Sequence, residues 1–148
     1  MIIRFKKLKD TAITPAKMHP EDACCDLYAA EDGFVAPKGG TYTAMLGIAV
    51  EIPYGFAGII KGRSGITKAG VIVPTGTVDS NYRGEIGVTL VNCTNKTFKI
   101  QKGDRIAQFC LTPTYGMFFD EVSELSPTDR GTQGFGSTGG ITLSEAEK

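Results

Sequence analysis

Between Thr41 and Ile52 the chain alternates strictly, and this run limits the possible folds more than any other feature. Tyr42, Ala44, Leu46, Ile48, Val50 and Ile52 form an apolar row, interleaved with Thr43, Met45, Gly47, Ala49 and Glu51. Successive side chains of a strand point to opposite faces, so the row predicts an extended strand with one face in a core. Pro53-Tyr54-Gly55 then breaks the run as a turn does. Shorter strands are predicted at 2–7, 56–61, 71–73, 84–91, 97–100, 105–111 and 117–122. Turn residues separate several of them, among them Asn92 to Asn95 and Gln101 to Asp104. The chain has 19 glycines and 7 prolines in 148 residues, which favours turns over long helices. A single helical turn is predicted over 66–69, with Ser64 as its cap and Gly70 closing it in the left-handed region. Many short, regularly spaced strands predict an all-β sandwich or jelly-roll-like β-barrel.

The last 26 residues, Ser123 to Lys148, break this pattern. Gly131, Gly134, Gly136, Gly139 and Gly140 crowd together and no apolar alternation continues. The expected organisation is a β-barrel domain over 1–122 and a flexible glycine-rich arm over 123–148.

Charge narrows the function classes. Lys plus Arg and Asp plus Glu are equal at 16 each, so the broad basic surface of a nucleic-acid binder is not expected. No segment has the length of a signal peptide core or a membrane span, so an intracellular, cytoplasmic protein without membrane contact is expected. The cysteines, Cys24, Cys25, Cys93 and Cys110, match no zinc spacing and are expected as reduced thiols. The chain has 1 histidine, His19, which argues against a zinc centre.

Four strings carry candidate chemistry. Arg130-Gly131-Thr132-Gln133-Gly134-Phe135-Gly136-Ser137-Thr138 nearly fits a phosphate loop, but Ser137 replaces the required lysine and no helix is expected to follow. Glycine backbone N–H groups, the hydroxyls of Ser137 and Thr138 and the Arg130 fork suit phosphate, and Phe135 suits a base face. A plain linker is the competing reading. Gly62-Arg63-Ser64-Gly65 opens the short helix, as an anion site or an ordinary turn. Asp79 starts a hairpin turn within Gly76 to Gly84, either as a turn former or as a general base. Gln108, in Gly103-Asp104-Arg105-Ile106-Ala107-Gln108, is expected on the face shared by Ile106 and Cys110, where it is either a core amide or a site residue.

Taken in order, Asp26-Leu27-Tyr28-Ala29, Gly62 to Gly65, Gly76 to Gly84, Gly103 to Gln108 and Arg130 to Gly139 resemble the five motifs of the trimeric dUTPase family. The resemblance covers most of the chain. It implies a jelly-roll-like barrel, a homotrimer with active sites shared between subunits, and a C-terminal arm that closes each site. It also implies hydrolysis of dUTP to dUMP and pyrophosphate with Mg²⁺, which limits uracil in DNA and supplies dUMP for thymidylate synthesis. Carried over by position, Asp79 activates the water, while Arg63, Ser64 and Gly65 hold the phosphate chain. The segment from Val73 through Gly76, Thr77 and Val78 reads uracil through its backbone. Tyr82 packs on the deoxyribose, Phe135 covers the base, and Arg130, Gly136, Ser137 and Thr138 clamp the phosphates. Asp26 and Gln108 act on the metal–phosphate assembly through water, with no direct protein ligand to the metal. Two positions depart from the family pattern: Cys24-Cys25 before Asp26, and Gln133 in the arm. The alternatives are a dCTP deaminase, which shares the fold, and a nucleotide-sensing module that binds without turnover.

Overall fold

The computed structural model describes residues 1–134. The described residues form eleven strands and one short helix. In order they are β1 (Arg4–Lys7), β2 (Cys25–Tyr28), β3 (Gly33–Val35), β4 (Gly40–Met45), β5 (Ile48–Glu51) and β6 (Phe56–Lys61). Then follow α1 (Ser64–Lys68), β7 (Val71–Ile72), β8 (Gly76–Val78), β9 (Gly87–Asn92), β10 (Phe98–Ile100) and β11 (Arg105–Pro113). Among the described residues no helix is long and apolar enough to cross a membrane. The chain divides into two compact units, Met1–Tyr115 and Gly116–Lys148.

In the first unit the strands form antiparallel sheets in the orders β2-β11-β6-β8, β4-β9-β7, β1-β5 and β10-β3. Their inner faces meet in one core that includes Leu27, Val35, Leu46, Ile48, Val88, Leu90, Ile100 and Ile106. This is the expected all-β, jelly-roll-like arrangement. The alternation over 41–52 holds its apolar row in the core but is two strands, not one. Gly47 has φ +67, a conformation that only glycine adopts without strain. Before it β4 pairs with β9; after it β5 pairs with β1. The kink thus hands the chain to a different sheet while Leu46 and Ile48 both stay buried.

Three further corrections have local causes. α1 begins at Ser64 with Arg63 at the cap position and no side-chain cap bond, so Ser64 is the first helical residue rather than the cap. Gly70 does close it, with φ +82. β2 and β3 were not anticipated: with 4 and 3 residues they are too short to display a period. The strand expected at 117–122 is absent. Met117, Phe118 and Phe119 are exposed, and their apolar run has neither alternation nor a partner strand among the described residues.

Phe135, Gly136, Ser137 and Thr138 lie outside the described residues. Within the second unit, Arg130 donates through Nε to the Gln133 carbonyl (3.1 Å), and Gly131 donates through N to the Thr128 carbonyl (3.0 Å).

Candidate active site

Register places the first group of site residues. On neighbouring strands β2, β11 and β6, Asp26 stands opposite Gln108, and Gln108 stands opposite Lys61. The three side chains therefore lie in one row across the sheet. A bulge in β11 between Arg105 and Ala107 shifts the alternation, so Ile106 and Ala107 are both buried. The expectation that Gln108 shares the face of Ile106 fails for this reason. Gln108 instead lines the cleft and donates through Nε2 to the Gly62 carbonyl (2.8 Å), which leaves its amide oxygen free to accept.

Asp26 is the anchor of this cleft. Arg63 Nε meets Oδ1 at 2.9 Å and Arg105 Nη1 meets Oδ2 at 3.2 Å. Arg63 also donates through Nη1 to the Arg105 carbonyl (3.2 Å), so the two arginines are tied to each other. The Asp26 side chain retains 12% of its exposure, against 28% for Arg63 and 42% for Arg105. The cations therefore face outward over a mostly covered carboxylate. The cavity, about 720 Å³, is also bordered by Ser64, Gly65 and Asp22. Three cations (Lys61, Arg63, Arg105) against two carboxylates (Asp22, Asp26) leave it net positive, which suits a phosphate chain.

Asp79 sits elsewhere. It follows the edge strand β8, which pairs with β6 on one side only. The hairpin expected over Gly76 to Gly84 does not form, because β9 pairs with β4 and β7 in another sheet and the turn after Asp79 crosses between sheets. The Tyr82 N–H donates to the Asp79 carbonyl (3.1 Å) and forms the turn, and the Tyr82 hydroxyl donates to the Glu85 carbonyl (3.1 Å). The Tyr82 ring covers Gly84, where a Cβ would lie 2.3 Å from the Tyr82 hydroxyl oxygen. Ile60, Gly76, Thr77, Val78, Asp79 and Tyr82 line a second cavity of about 250 Å³. An edge strand presents unpaired backbone donors and acceptors, which is what reading a base edge through backbone requires. Val73 lies just before it and is buried in the core, while Pro74 provides no N–H.

The structure thus gathers Asp26, Arg63, Ser64, Gly65 and Gln108 in one cavity, and Gly76, Thr77, Val78, Asp79 and Tyr82 in another. The two share no lining residue. Consecutive residues of β6 border them, Ile60 the second and Lys61 the first, and consecutive strand residues face opposite ways. Sequence reasoning missed Arg105 and Lys61. The signal for Arg105 was a second cation across from Asp26, visible only once the register of β2 and β11 is known.

Known proteins resemble the chain over nearly its whole length. The family model described as dUTPase matches residues 10–139. The chain is 44% identical over 142 residues to the deoxyuridine 5'-triphosphate nucleotidohydrolase of Nautilia profundicola, covering 94% of this chain and 99% of that protein. It is 40% identical over 141 residues to the same-named protein of Syntrophotalea carbinolica, covering 93% and 96%. Among solved structures it resembles the Staphylococcus bacteriophage 80alpha dUTPase with dUPNHPP, with a TM-score of 0.87, 28% identity and coverage of 93% and 98%. Fold, motif order and relatives agree over nearly the whole length, and the chain belongs to the dUTPase family.

Proposed function

We propose that the chain hydrolyses dUTP to dUMP and pyrophosphate in sites shared between copies of a homotrimer. The observation that carries the shared site is the separation of the two cavities. One copy holds the phosphate-binding cations on one side of β6 and the exposed carboxylate Asp79 on the other. A second copy brings its β8 edge and Asp79 turn to the first copy's cleft, so that base, sugar and phosphates are held together.

In this reading the edge of β8, with the segment from Val73, pairs with uracil, and the Tyr82 ring fills the space a 2′-hydroxyl would need. Arg63, Ser64 and Gly65 hold the phosphate chain. Asp79 takes a proton from the water that attacks the α-phosphorus, and pyrophosphate leaves. General-base help of this kind contributes about 10²–10⁴ in rate. Arg130, Phe135, Gly136, Ser137 and Thr138, within an arm over 123–148 that follows a barrel domain over 1–122, close over the bound nucleotide.

The cleft fits Mg²⁺ carried on the substrate's phosphates and not caged by protein. Both carboxylate oxygens of Asp26 already meet guanidinium groups, and among the described residues no cluster of three metal-ligating side chains occurs. Asp26 and the free amide oxygen of Gln108 would hold it through water. When bound, it neutralises charge on the phosphates.

A panel of dUTP, UTP, dTTP and dCTP, with pyrophosphate and ammonia detection, tests the reading. Mg²⁺-dependent pyrophosphate release from dUTP alone is expected. Ammonia from dCTP would point to a deaminase, and dUTP binding without hydrolysis to a sensing module.

A further inference from the structure

We propose that Cys24 and Cys110 form a reversible disulfide that grips the outer end of the phosphate cleft when a small-molecule disulfide such as oxidised glutathione is present. The consequence for turnover rests on the function proposed above; the bond itself does not.

The antiparallel register of β2 and β11 sets Phe109 opposite Cys25 and Gln108 opposite Asp26. Cys24 immediately precedes β2, and the same register continued by one step would set it against Cys110, whose thiol is within hydrogen-bond reach of Cys24. Cys24 lines the cleft with Asp26, whereas Cys25 lines an apolar cavity with Leu27 and Phe109 on the other face. The neighbouring cysteine therefore points away from the pair and does not compete for it. All four thiols are free, Cys24 and Cys110 are half-buried, and Cys93 is exposed in a separate turn. The Cys24 thiol is pushed up from its ordinary value, first by partial burial and next by the Cys110 thiol, which agrees with side chains in contact. Lys61, opposite Gln108 in the register, opposes this shift without reversing it.

The chemistry is thiol–disulfide exchange. The thiolate of one cysteine attacks a sulfur of oxidised glutathione, forming a mixed disulfide and releasing one glutathione thiolate. The second cysteine gives up its proton and attacks the protein sulfur of that mixed disulfide, releasing the second glutathione. Two protein thiols are oxidised to one S–S bond, and the oxidant is reduced to two thiols.

Directly opposed residues hold their Cβ atoms about 4.5–5.5 Å apart, and a relaxed disulfide needs about 3.8 Å. Closing the bond therefore draws β2 and β11 together by about 1 Å, two residues from Asp26 and Gln108. Displacements of ~1 Å can cost on the order of 10²-fold in an organised site. A bond under such tension is also the kind most readily reduced.

The test uses the full chain, incubated with oxidised glutathione, then alkylated and mapped by mass spectrometry without reduction. A peptide pair joined through Cys24 and Cys110 is expected, with KM for dUTP raised about 10-fold, below the 10²-fold ceiling above, and restored by dithiothreitol. Cys110→Ser and Cys24→Ser should each abolish the pair and the sensitivity of turnover to oxidant. Alkylated Cys24 and Cys110 beside glutathionylated Cys93 would overturn the proposal, and so would a formed bond that leaves KM unchanged. A reduced chain without dUTP turnover would count against the proposed function and not against the bond, which the peptide map reads by itself.

Discussion

The cleft around Asp26 and the cavity around Asp79 border the same sheet and use a carboxylate in opposite ways. Asp26 is mostly covered, with a guanidinium on each oxygen. Asp79 is exposed, gives only its backbone carbonyl to the turn, and has no ion-pair partner among the described residues. A carboxylate held by two guanidinium groups is fixed in place, whereas one without a partner is open to an incoming water and contributes little to stability. One region is built to position charge and the other to react, so substitutions should separate stability from turnover according to the region they touch.

The sharpest break is Asp79→Asn. Turnover of dUTP should fall by about 10²–10⁴-fold, the worth of a general base, while dUTP binding and the thermal midpoint stay unchanged. Steady-state kinetics beside thermal unfolding make the check, and near-normal turnover would remove Asp79 from the chemistry. Next in size is truncation before Ser123. Met1–Tyr115 is a compact unit with its own core, so folding should survive while kcat/KM falls on the order of 10²-fold for want of closure. Full activity after truncation would reduce the tail to a linker.

Asp26→Asn probes the other region and should act on both readouts. It leaves two guanidinium groups facing a neutral amide. Because Arg63 and Arg105 are partly exposed, the loss should be about 1–2 kcal/mol in denaturant unfolding, below that of a fully buried pair. KM for dUTP should rise as well. A variant as stable as the parent would show that the arginines hold their places without the carboxylate, and the contrast between the regions would lose one side.

What the sequence revealed and what it hid follow the same division. The cavity around Asp79 was legible because its parts are neighbours along the chain: Asp79 and Tyr82 are joined by one turn, and β9 shows its period. Gly70, at the end of α1, was legible for the same local reason. The cleft was only half legible. Arg105 and Asp26 lie 79 positions apart, and charge pairing across that distance has no local signature. The bulge at Ile106 likewise depends on β2, which is too short to announce itself. The buried hub at Asn92, donating to the Val35 and Lys96 carbonyls, read as nothing more than turn chemistry. The apolar run at 117–122 misled in the other direction, since composition alone does not supply a partner strand.

The finest test of the turn after Asp79 separates the two parts of Tyr82. Tyr82→Phe removes the bond from the hydroxyl to the Glu85 carbonyl but keeps the ring. Tyr82 is 46% exposed, so water replaces much of that bond, and the cost should sit at the low end of the ~0.5–1.5 kcal/mol typical of a neutral hydrogen bond. Turnover should then drop by no more than about threefold. Preference for dUTP over UTP should be untouched, because the ring supplies the steric wall and the hydroxyl only braces it. An apolar wall alone yields roughly 10² against an added hydroxyl. Selectivity that collapsed in Tyr82→Phe would therefore mean that the brace holds the ring at the sugar. That turn would then be preorganised in its own way, and the contrast with the cleft would narrow to the single carboxylate at Asp79.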